Sequence, residues 1–364
     1  MRSLNDTLSR LSAMRNNAMS MAPGTSGEDR LSELSGFGSN PGALRARFYV
    51  PPSLPASAAL VVVLHGCTQN ASGYDHGSGW SRLADEQGFA LLYPEQQRGN
   101  NANLCFNWFN RSDTQRDAGE ALSIRQMVAA MTAQYPIDPA RIFVTGLSAG
   151  GAMASVMLAT YPEVFAGGAI IAGLPYGTAA SIPEAFDRMR AHGGPPATAL
   201  GALVTAASSH TGPWPTISVW HGDSDATVNH ANSAHIVEQW RSIHGVAREP
   251  AAAQHIDGHL RRVWRDAHGR DVIEEYRIAG LGHGTPLSTS GDDACGAAGP
   301  YMLEAGISST RRIAGFWGIT SALAEDRCER AQPQPRVAQP KSQSTSGGVQ
   351  RVIEDALRAA GLMR

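Results

Sequence analysis

The sequence predicts an α/β fold, with an open and mostly parallel β-sheet covered by helices on both faces. Between about residues 43 and 328, short apolar runs alternate with longer segments of helical periodicity. The helical segments are long enough for the crossover connections that parallel strands require. The 364-residue chain has 39 glycines and only 7% aromatic residues, which suits many tight strand-to-helix turns better than a helical bundle.

The first elements predict the buried centre of the sheet. Leu44–Val50 has strand character and ends at Pro51–Pro52, because proline has no N–H to donate to a neighbouring strand. Ala59–Leu64 is wholly apolar and rich in valine, as strands covered on both faces are. A helix is predicted over Trp80–Gln87 and the next strand over Phe89–Tyr93.

The middle of the chain continues this alternation. Ala118–Gln134 carries apolar residues at helical spacing and predicts a helix, followed by a turn at Pro136–Pro139. Strands are expected at Arg141–Thr145 and Gly168–Ala172, with a helix over Ala149–Thr160 between them.

The last elements complete the predicted sheet. Thr216–Trp220 is a further buried strand, and Asn229–Ile243 is an amphipathic helix that begins near an asparagine cap. Leu260–Trp264 and Val272–Ile278 flank Asp266–Gly269 and are expected to form a hairpin or a crossover pair. Because such sheets bind ligands beyond the carboxyl ends of their strands, chemistry is expected in the loops that follow the strands.

Charge, hydropathy and cysteine spacing exclude several functions. Thirty Lys and Arg against 32 Asp and Glu give a net charge of −2, so no basic excess points to nucleic acid. The longest apolar run, Ala58–Leu64, is far shorter than the roughly 18 residues of a membrane-spanning helix. The cysteines are widely spaced without a C-x-x-C pair, which argues against a metal site and leaves two disulfides or four free thiols open. They are Cys67, Cys105, Cys295 and Cys328.

The sequence divides into a globular domain and terminal regions. Residues 1–43 predict an amphipathic helix, within Met1–Ala22, and a linker that precedes the globular domain at residues 44–329. Residues 330–348 are rich in Pro, Gln and Ser and predict a disordered linker, and residues 349–364 predict a second amphipathic helix. The apolar stripe of that helix needs cover from the domain itself, a second subunit or a hydrophobic surface.

A candidate nucleophile lies in Gly146–Gly151, which contains the only G-x-S-x-G pattern of the chain. The pattern follows a predicted strand and opens a predicted helix, which is the setting of a nucleophilic serine on a sharp turn. Gly146 and Gly150 leave room around Ser148. The helix that starts at Ala149 directs free N–H groups toward a developing oxyanion, so Ser148 is the expected nucleophile.

A serine nucleophile needs a base and an orienting carboxylate, expected in the chain order serine, acid, histidine. Asp225 is favoured as the acid over Asp223, because an aspartate directly after a glycine commonly tightens a turn. His283 is favoured as the base, since it follows the last sheet strand on a glycine-rich loop. His221 precedes a glycine at a strand end and is expected to be a turn or supporting residue.

Two backbone N–H groups are expected to stabilise the oxyanion. One belongs to Ala149, directly after the nucleophile. The other is expected from the loop after an early strand, where the N–H of Cys67 has the corresponding place. The role of Cys67 then depends on its backbone and not on its thiol.

Six motifs occur in a characteristic order along about residues 45–318. They are His65–Gln69, Cys105–Phe109, Gly146–Gly151, Gly173–Gly177, His221–Val228 and Gly282–His283. Together they resemble the poly(3-hydroxybutyrate) depolymerase family of esterases. The resemblance implies an α/β-hydrolase fold and ester hydrolysis through an acyl-serine, with Ser148, Asp225 and His283 as a catalytic triad and without a cofactor or metal.

The resemblance has two further implications for structure and one for location. It implies a disulfide between Cys67 and Cys105 and a place for Trp108 in the wall of the acyl or alcohol pocket. Members of the family are usually secreted, whereas Met1–Ala22 lacks the apolar core of a secretory signal. An extracellular and a cytoplasmic location are therefore both retained.

The expected substrate is a 3-hydroxybutyrate polyester or its oligomers. The resemblance also implies an alternative within the same class, a feruloyl or acetyl esterase acting on carbohydrates. A non-catalytic protein that binds polyester granules is a hypothesis of a different class, and the presence of all three triad residues argues against it. The terminal helices are expected to contact the globular domain itself, a second subunit or a hydrophobic surface.

Overall fold

The computed structural model describes residues 29–291 and 294–320 of the chain. The helix predicted within Met1–Ala22, the linker predicted at 330–348 and the helix predicted at 349–364 lie outside the described residues. Their contacts with a subunit or a surface therefore stay predictions.

Strands and helices alternate through the described residues. The strands are β1 (Ser32–Glu33), β2 (Arg45–Tyr49), β3 (Ala58–Leu64), β4 (Ala90–Glu95), β5 (Ile137–Leu147), β6 (Gly167–Ile171), β7 (Thr216–Gly222), β8 (Ala252–Ile256), β9 (His259–Arg265), β10 (Asp271–Ile278), β11 (Thr285–Leu287) and β12 (Met302–Glu304). The helices are α1 (Ala71–Ser78), α2 (Trp80–Gln87), α3 (Arg111–Thr114), α4 (Gly119–Gln134), α5 (Ala149–Thr160), α6 (Ile182–Met189), α7 (Ala197–Thr205), α8 (Ala231–His244) and α9 (Ser309–Phe316). The predicted strands and helices correspond closely to members of these sets.

Ten strands form one mixed sheet in the order β1-β2-β4-β3-β5-β6-β7-β10-β9-β8, and β11 pairs with β12 separately. The six central strands from β4 to β10 are parallel. Antiparallel strands lie at both edges, and β9 and β10 form the hairpin that the sequence allowed. The carboxyl ends of β5, β7 and β10 consequently lie along one edge, where the predicted site residues follow.

Both faces of the sheet are buried, as the apolar composition of β3 predicts. Along β3, Val62 packs into a core cluster that includes residues of α4, α5 and α8. The adjacent Val61 packs into the cluster on the other face, which includes residues of α1, α2 and α9. This two-sided burial holds the central strands in place beneath the loops at their carboxyl ends.

Two sequence-based predictions need correction. The linker predicted before residue 44 includes β1, which pairs with β2, and buries Leu31 and Leu34. Most of the turn predicted at Pro136–Pro139 belongs to β5, which begins at Ile137; this residue pairs with Ala58 before a shift of register. The prolines indicated a turn, but Pro136 directly precedes the strand and the irregular pairing accommodates Pro139 inside it.

The connection between β6 and β7 contains α6 and α7, which the sequence analysis did not predict. Both helices are short, eight and nine residues, and the surrounding connection is rich in Ala, Gly and Pro, which is typical of loops. Helix α6 begins at an N-cap, Ser181, whose side chain accepts from the N–H of Glu184 at 3.4 Å. Within the described ranges, every helix is too short or too polar to span a membrane.

Candidate active site

Ser148 occupies a sharp turn between β5 and α5. Its φ of 56° and ψ of −117° lie in a region that side-chain-bearing residues rarely adopt. A Cβ at Gly146 would approach the backbone of Gly150 to less than 3.0 Å, and a Cβ at Gly150 would collide with the carbonyls of Leu64 and His65. The two glycines therefore allow the turn to pack directly against the end of β3.

A short hydrogen bond joins the predicted acid to the predicted base. His283 Nδ1 lies 2.7 Å from Asp225 Oδ2, with the aspartate side chain buried and the imidazole 10% exposed. The other oxygen, Oδ1, accepts the backbone N–H groups of Thr227 and Val228 at 2.8 and 2.9 Å. Because an ionised carboxylate only accepts, Nδ1 of His283 carries the hydrogen and Nε2 is left to accept a proton.

The surroundings of Asp225 favour its ionised form. Burial alone would raise the pKa of this carboxyl. Hydrogen bonding and charge interactions with His221 and His283 outweigh burial and hold the pKa well below its usual range. An ionised carboxylate is the form that orients an imidazole and stabilises an imidazolium.

The competing acid, Asp223, has a different environment. Its side chain is exposed, and its Oδ1 accepts the N–H of Gly280 at 2.7 Å. Asp223 thus ties the turn after β7 to the loop after β10, which carries His283. This contact fits the turn-tightening role that the sequence analysis assigned to Asp223.

The third predicted member, Ser148, lies at the same edge of the sheet as this pair. It follows β5, whereas Asp225 and His283 follow β7 and β10. Among the described residues no hydrogen bond joins the Ser148 hydroxyl to the imidazole; such bonds are often long before substrate binds. The structure therefore brings acid and base into contact and leaves the coupling to Ser148 as a prediction.

The two N–H groups predicted to bind an oxyanion, those of Cys67 and Ala149, have no hydrogen-bond acceptor among the described residues. Next to Cys67, the N–H of Gly66 donates to Gln69 Oε1 at 2.9 Å. The N–H of Cys67 itself has no acceptor in the described part of the chain. Ala149 is the first residue of α5, so its N–H precedes the hydrogen-bond ladder of that helix. Two donors are therefore available for a ligand near Ser148.

A disulfide joins Cys67 to Cys105, with 4.2 Å between the Cα atoms. This is the pair that the family resemblance implied, whereas composition alone left the pairing open. The adjacent Thr68 N–H donates to the carbonyl of Asn103 at 2.7 Å, so the loop that contains Cys67 is attached to the 101–105 loop by two contacts. Cys295 is buried and has no disulfide partner among the described residues, and the fourth cysteine lies outside them.

Trp108 lies in an apolar cluster beside the serine turn. The indole is 9% exposed and contacts Phe109 edge to face, with ring centroids 5.6 Å apart. The cluster gathers buried residues from α5, α6 and the loops after β6 and β7, namely Ala149, Ala152, Leu174, Ala185 and Val228. Trp108 therefore packs close to the turn that carries Ser148, and its role in the wall of a pocket stays a prediction.

A residue that sequence reasoning missed, Glu120, holds the segment that carries Trp108. Its buried carboxyl accepts hydrogen bonds from the backbone N–H of Asn107 at 2.9 Å, from Asn107 Nδ2 at 2.8 Å and from Gln96 Nε2 at 2.6 Å. A glutamate in a helical pattern normally faces water, so the sequence carried no signal for this role. Burial raises the pKa of Glu120 to about 8 despite these donors.

Glu120 is expected to make stability depend on pH. Its pKa is 4.5 in an ordinary setting and about 8 in the fold, so the folded chain keeps a proton that the unfolded chain loses between these values. The contribution of Glu120 to the free energy of unfolding is complete below the unfolded-state pKa of 4.5. It is lost as the pH rises through the folded-state pKa of about 8. We compare the Tm of the wild type with that of Glu120→Gln. The difference, wild type minus variant, should decrease as the pH is raised from about 5 to about 9. A difference that does not change with pH would contradict this assignment.

Tyr301 lies beside His283 and is a second residue that sequence reasoning missed. Its ring meets the imidazole of His283 edge to face, with centroids 6.1 Å apart, and its φ is 61°. The carbonyl of Tyr301 accepts the N–H of Thr285, next to the pairing of β11 with β12. This position depends on a long-range strand pair, which local periodicity does not predict.

In the described ranges, no group of three or more His, Cys, Asp or Glu side chains is arranged to hold a metal ion.

Comparisons with known proteins identify relatives of this chain. The sequence profile of the family described as esterase PHB depolymerase matches residues 44–261, more than half of the chain. Poly(3-hydroxyalkanoate) depolymerase C of Paucimonas lemoignei is 47% identical over 79% of this chain and 70% of that protein. An acetylxylan esterase of Coprinopsis cinerea is 29% identical over 71% of this chain and 70% of its own length. Feruloyl esterase B of Talaromyces funiculosus is 29% identical over 71% and 74%.

A solved structure shares the architecture. Acetyl xylan esterase from Aspergillus awamori superposes with a TM-score of 0.67 and 23% identity, covering 80% of this chain and 99% of that one. This similarity, together with the central parallel sheet, shows the α/β-hydrolase fold. With the profile match and the 47% identity, it follows that the chain belongs to the esterase PHB depolymerase family and is a carboxylic ester hydrolase.

Proposed function

We propose that this esterase hydrolyses esters of 3-hydroxyalkanoic acids, as polymer or oligomers, through a triad of Ser148, His283 and Asp225. The observation that carries the triad is the 2.7 Å hydrogen bond between His283 and Asp225, at the sheet edge where the strained turn presents Ser148. The substrate class is supported by the 47% identity to a poly(3-hydroxyalkanoate) depolymerase, against 29% to the acetylxylan and feruloyl esterases.

The proposed reaction is acyl transfer in two steps. Ser148 Oγ attacks the ester carbonyl while His283 Nε2 takes its proton, and Asp225 stabilises the resulting imidazolium. The N–H groups of Cys67 and Ala149 donate to the tetrahedral oxyanion. The oxyanion collapses, the C–O bond breaks, and the imidazolium protonates the departing alkoxide to give the alcohol. Water then attacks the acyl-serine with the same proton transfers, which releases the acid and the free serine.

The surroundings of the site support an apolar ester chain. On α6, Ile182, Ala185 and Met189 follow the i, i+3, i+7 spacing of one helix face. Ala185 and Met189 belong to the apolar cluster around Trp108, whereas Ile182 is 51% exposed. Within the described residues, Ile182 is the one large hydrophobic side chain that is exposed. An apolar strip therefore runs from the cluster to solvent, as a chain of hydroxyalkanoate units would require.

Trp108 is expected to contact the acyl or the alcohol part of the ester substrate. We expect Trp108→Ala to lower kcat/KM for a 3-hydroxybutyrate trimer by roughly tenfold to a hundredfold, because removal of the indole takes away much of the apolar wall. Trp108→Phe, which keeps an aromatic ring, should retain most of the activity. Hydrolysis of p-nitrophenyl acetate, whose acyl group is small, should change much less. Equal losses on both substrates would contradict a role in the pocket wall.

A substrate panel tests the proposed function directly. The values of kcat/KM are compared for 3-hydroxybutyrate oligomers, methyl ferulate and acetylated xylan, together with release of soluble acid from a polyhydroxybutyrate film. We expect the hydroxybutyrate oligomers to give a kcat/KM at least about tenfold above the other soluble esters. A preference for ferulate or acetylated xylan would overturn the substrate assignment in favour of a carbohydrate esterase. Inactivity on every ester would overturn the proposed reaction.

A further inference from the structure

The carboxylate of Asp225 contacts a second histidine that the proposed reaction does not use. His221 lies near the end of β7, and its side chain is almost fully buried. Its Nε2 lies 3.3 Å from Asp225 Oδ2, the same oxygen that binds His283. Two imidazoles therefore share one carboxylate oxygen.

The contacts of His221 fix its protonation pattern. Nε2 lies 2.8 Å from the carbonyl oxygen of Val228 as well as near Asp225. Both neighbours are acceptors, so Nε2 must carry a hydrogen. Nδ1 is buried and has no hydrogen-bond partner in the described part of the chain. His221 therefore presents one N–H group, directed at the turn that contains the acid.

The N–H of His221 completes a small hydrogen-bond network around Asp225. Asp225 Oδ1 already accepts the N–H groups of Thr227 and Val228, while the carbonyl of Val228 accepts from His221. The side chain of Asp225 is thus held by its own turn through one oxygen, and the end of that turn is held by His221. His221 comes from β7, a central strand, so it anchors the turn to the rigid part of the sheet.

We infer that His221 is a positioning residue, which holds Asp225 in the orientation that the proposed triad needs and shares its negative charge with His283. The inference rests on the proposed function, since it concerns the same acid and base. His221 does not touch the reacting atoms. It acts through Asp225, in the way that outer hydrogen bonds orient the groups that do.

A loss of this N–H has two expected consequences. The acid becomes less well oriented, which lowers kcat more than it changes KM. The charge of Asp225 is also no longer shared, so it stabilises the imidazolium of His283 more strongly and raises the pH at which the base loses its proton. Three other ionisable groups lie around Asp225 and His283. Asp223 is on the same turn as Asp225, and Tyr301 packs against His283. Arg277 on β10 is the register partner of His221 on β7.

Two substitutions separate the hydrogen bond from packing. His221→Phe keeps a ring of similar size without the N–H, whereas His221→Gln loses the ring but can place an amide N–H near the position of Nε2. With p-nitrophenyl butyrate, we expect His221→Phe to lower kcat by about tenfold to a hundredfold with little change in KM. We also expect the acid limb of kcat/KM to move up by about half a pH unit. His221→Gln should recover most of kcat.

His244→Phe is the matched control. His244 Nε2 makes a comparable bond to a backbone carbonyl, 3.0 Å to Pro215, but it lies on α8 and does not contact Asp225. This variant should lower Tm and leave kcat and the pH profile unchanged. If His221→Phe does not fold, His221→Gln is compared with His221→Asn, whose amide reaches the position of Nδ1 instead; the glutamine variant should then be the more active.

The outcomes distinguish this inference from the proposed function. A wild-type kcat and pH profile in His221→Phe would overturn the inference, as would a glutamine variant less active than the phenylalanine or asparagine variant. Ser148→Ala is assayed alongside. If Ser148→Ala is inactive while His221→Phe is unchanged, only the positioning role fails; if Ser148→Ala is fully active, the proposed function fails.

Discussion

Replacement of Ser148 by alanine is expected to lower kcat for short p-nitrophenyl esters by about 10³-fold or more. The hydroxyl at this position is the proposed nucleophile, and without it no acyl-enzyme can form. The turn that carries it has a φ of 56° and is fixed by Gly146 and Gly150. Alanine fits the same backbone as serine, so Tm should stay close to that of the wild type.

The Ser148→Ala experiment includes a check on residual activity. Any remaining turnover should reflect the oxyanion donors and substrate binding alone, and it should not show a burst of p-nitrophenol. Hydrolysis by the variant at the wild-type rate would show that a different group performs the attack.

Replacement of Asp225 by asparagine should have an effect of similar size. The amide nitrogen of asparagine is a donor, so it cannot accept from His283 Nδ1, and the imidazole is expected to turn to the tautomer with a hydrogen on Nε2. That tautomer cannot take the proton of Ser148. We expect kcat to fall by about 10³-fold to 10⁴-fold near neutral pH.

Asp223→Asn is the matched control for this prediction. Asp223 is two residues away on the same turn, and its Oδ1 accepts the N–H of Gly280 at 2.7 Å. Asparagine keeps an oxygen that can accept this bond, so kcat should stay within about threefold of the wild type. A larger loss in Asp223→Asn than in Asp225→Asn would reverse the assignment of the acid.

The sequence was most informative where local pattern determines structure. The alternation of apolar runs with helical periodicity predicted the central sheet, since strands such as β3 are buried on both faces and are apolar throughout. The serine turn was predicted for a similar reason. Gly146 and Gly150 are required by close backbone approach, and this steric need is visible in the spacing of the glycines.

Features that depend on long-range contacts were not predictable in the same way. Glu120 is buried because Asn107 and Gln96 come from separate segments to donate to it. Tyr301 reaches His283 through the pairing of β11 with β12. The sequence assigned His221 to a supporting place at a strand end, but its contact with Asp225 appears only when the turn closes on the strand.

The two corrected elements show how tertiary contacts override local signals. Pro136–Pro139 has the composition of a turn, yet Ile137 gains a strand partner in Ala58 and extends β5. Residues before 44 lack a strong pattern, but Leu31 and Leu34 are buried beside the edge of the sheet. In both cases burial and pairing with a distant segment decided the structure.

The activation of Ser148 by His283 is tested most directly by covalent labelling with a fluorophosphonate. The rate of labelling is measured for the wild type and for His283→Ala, and the labelled residue is located by peptide mass spectrometry. We expect one phosphonyl group per chain, on Ser148, and a rate lowered by about 10³-fold or more in His283→Ala. Labelling of another residue, or equal rates in the two proteins, would contradict the proposed triad.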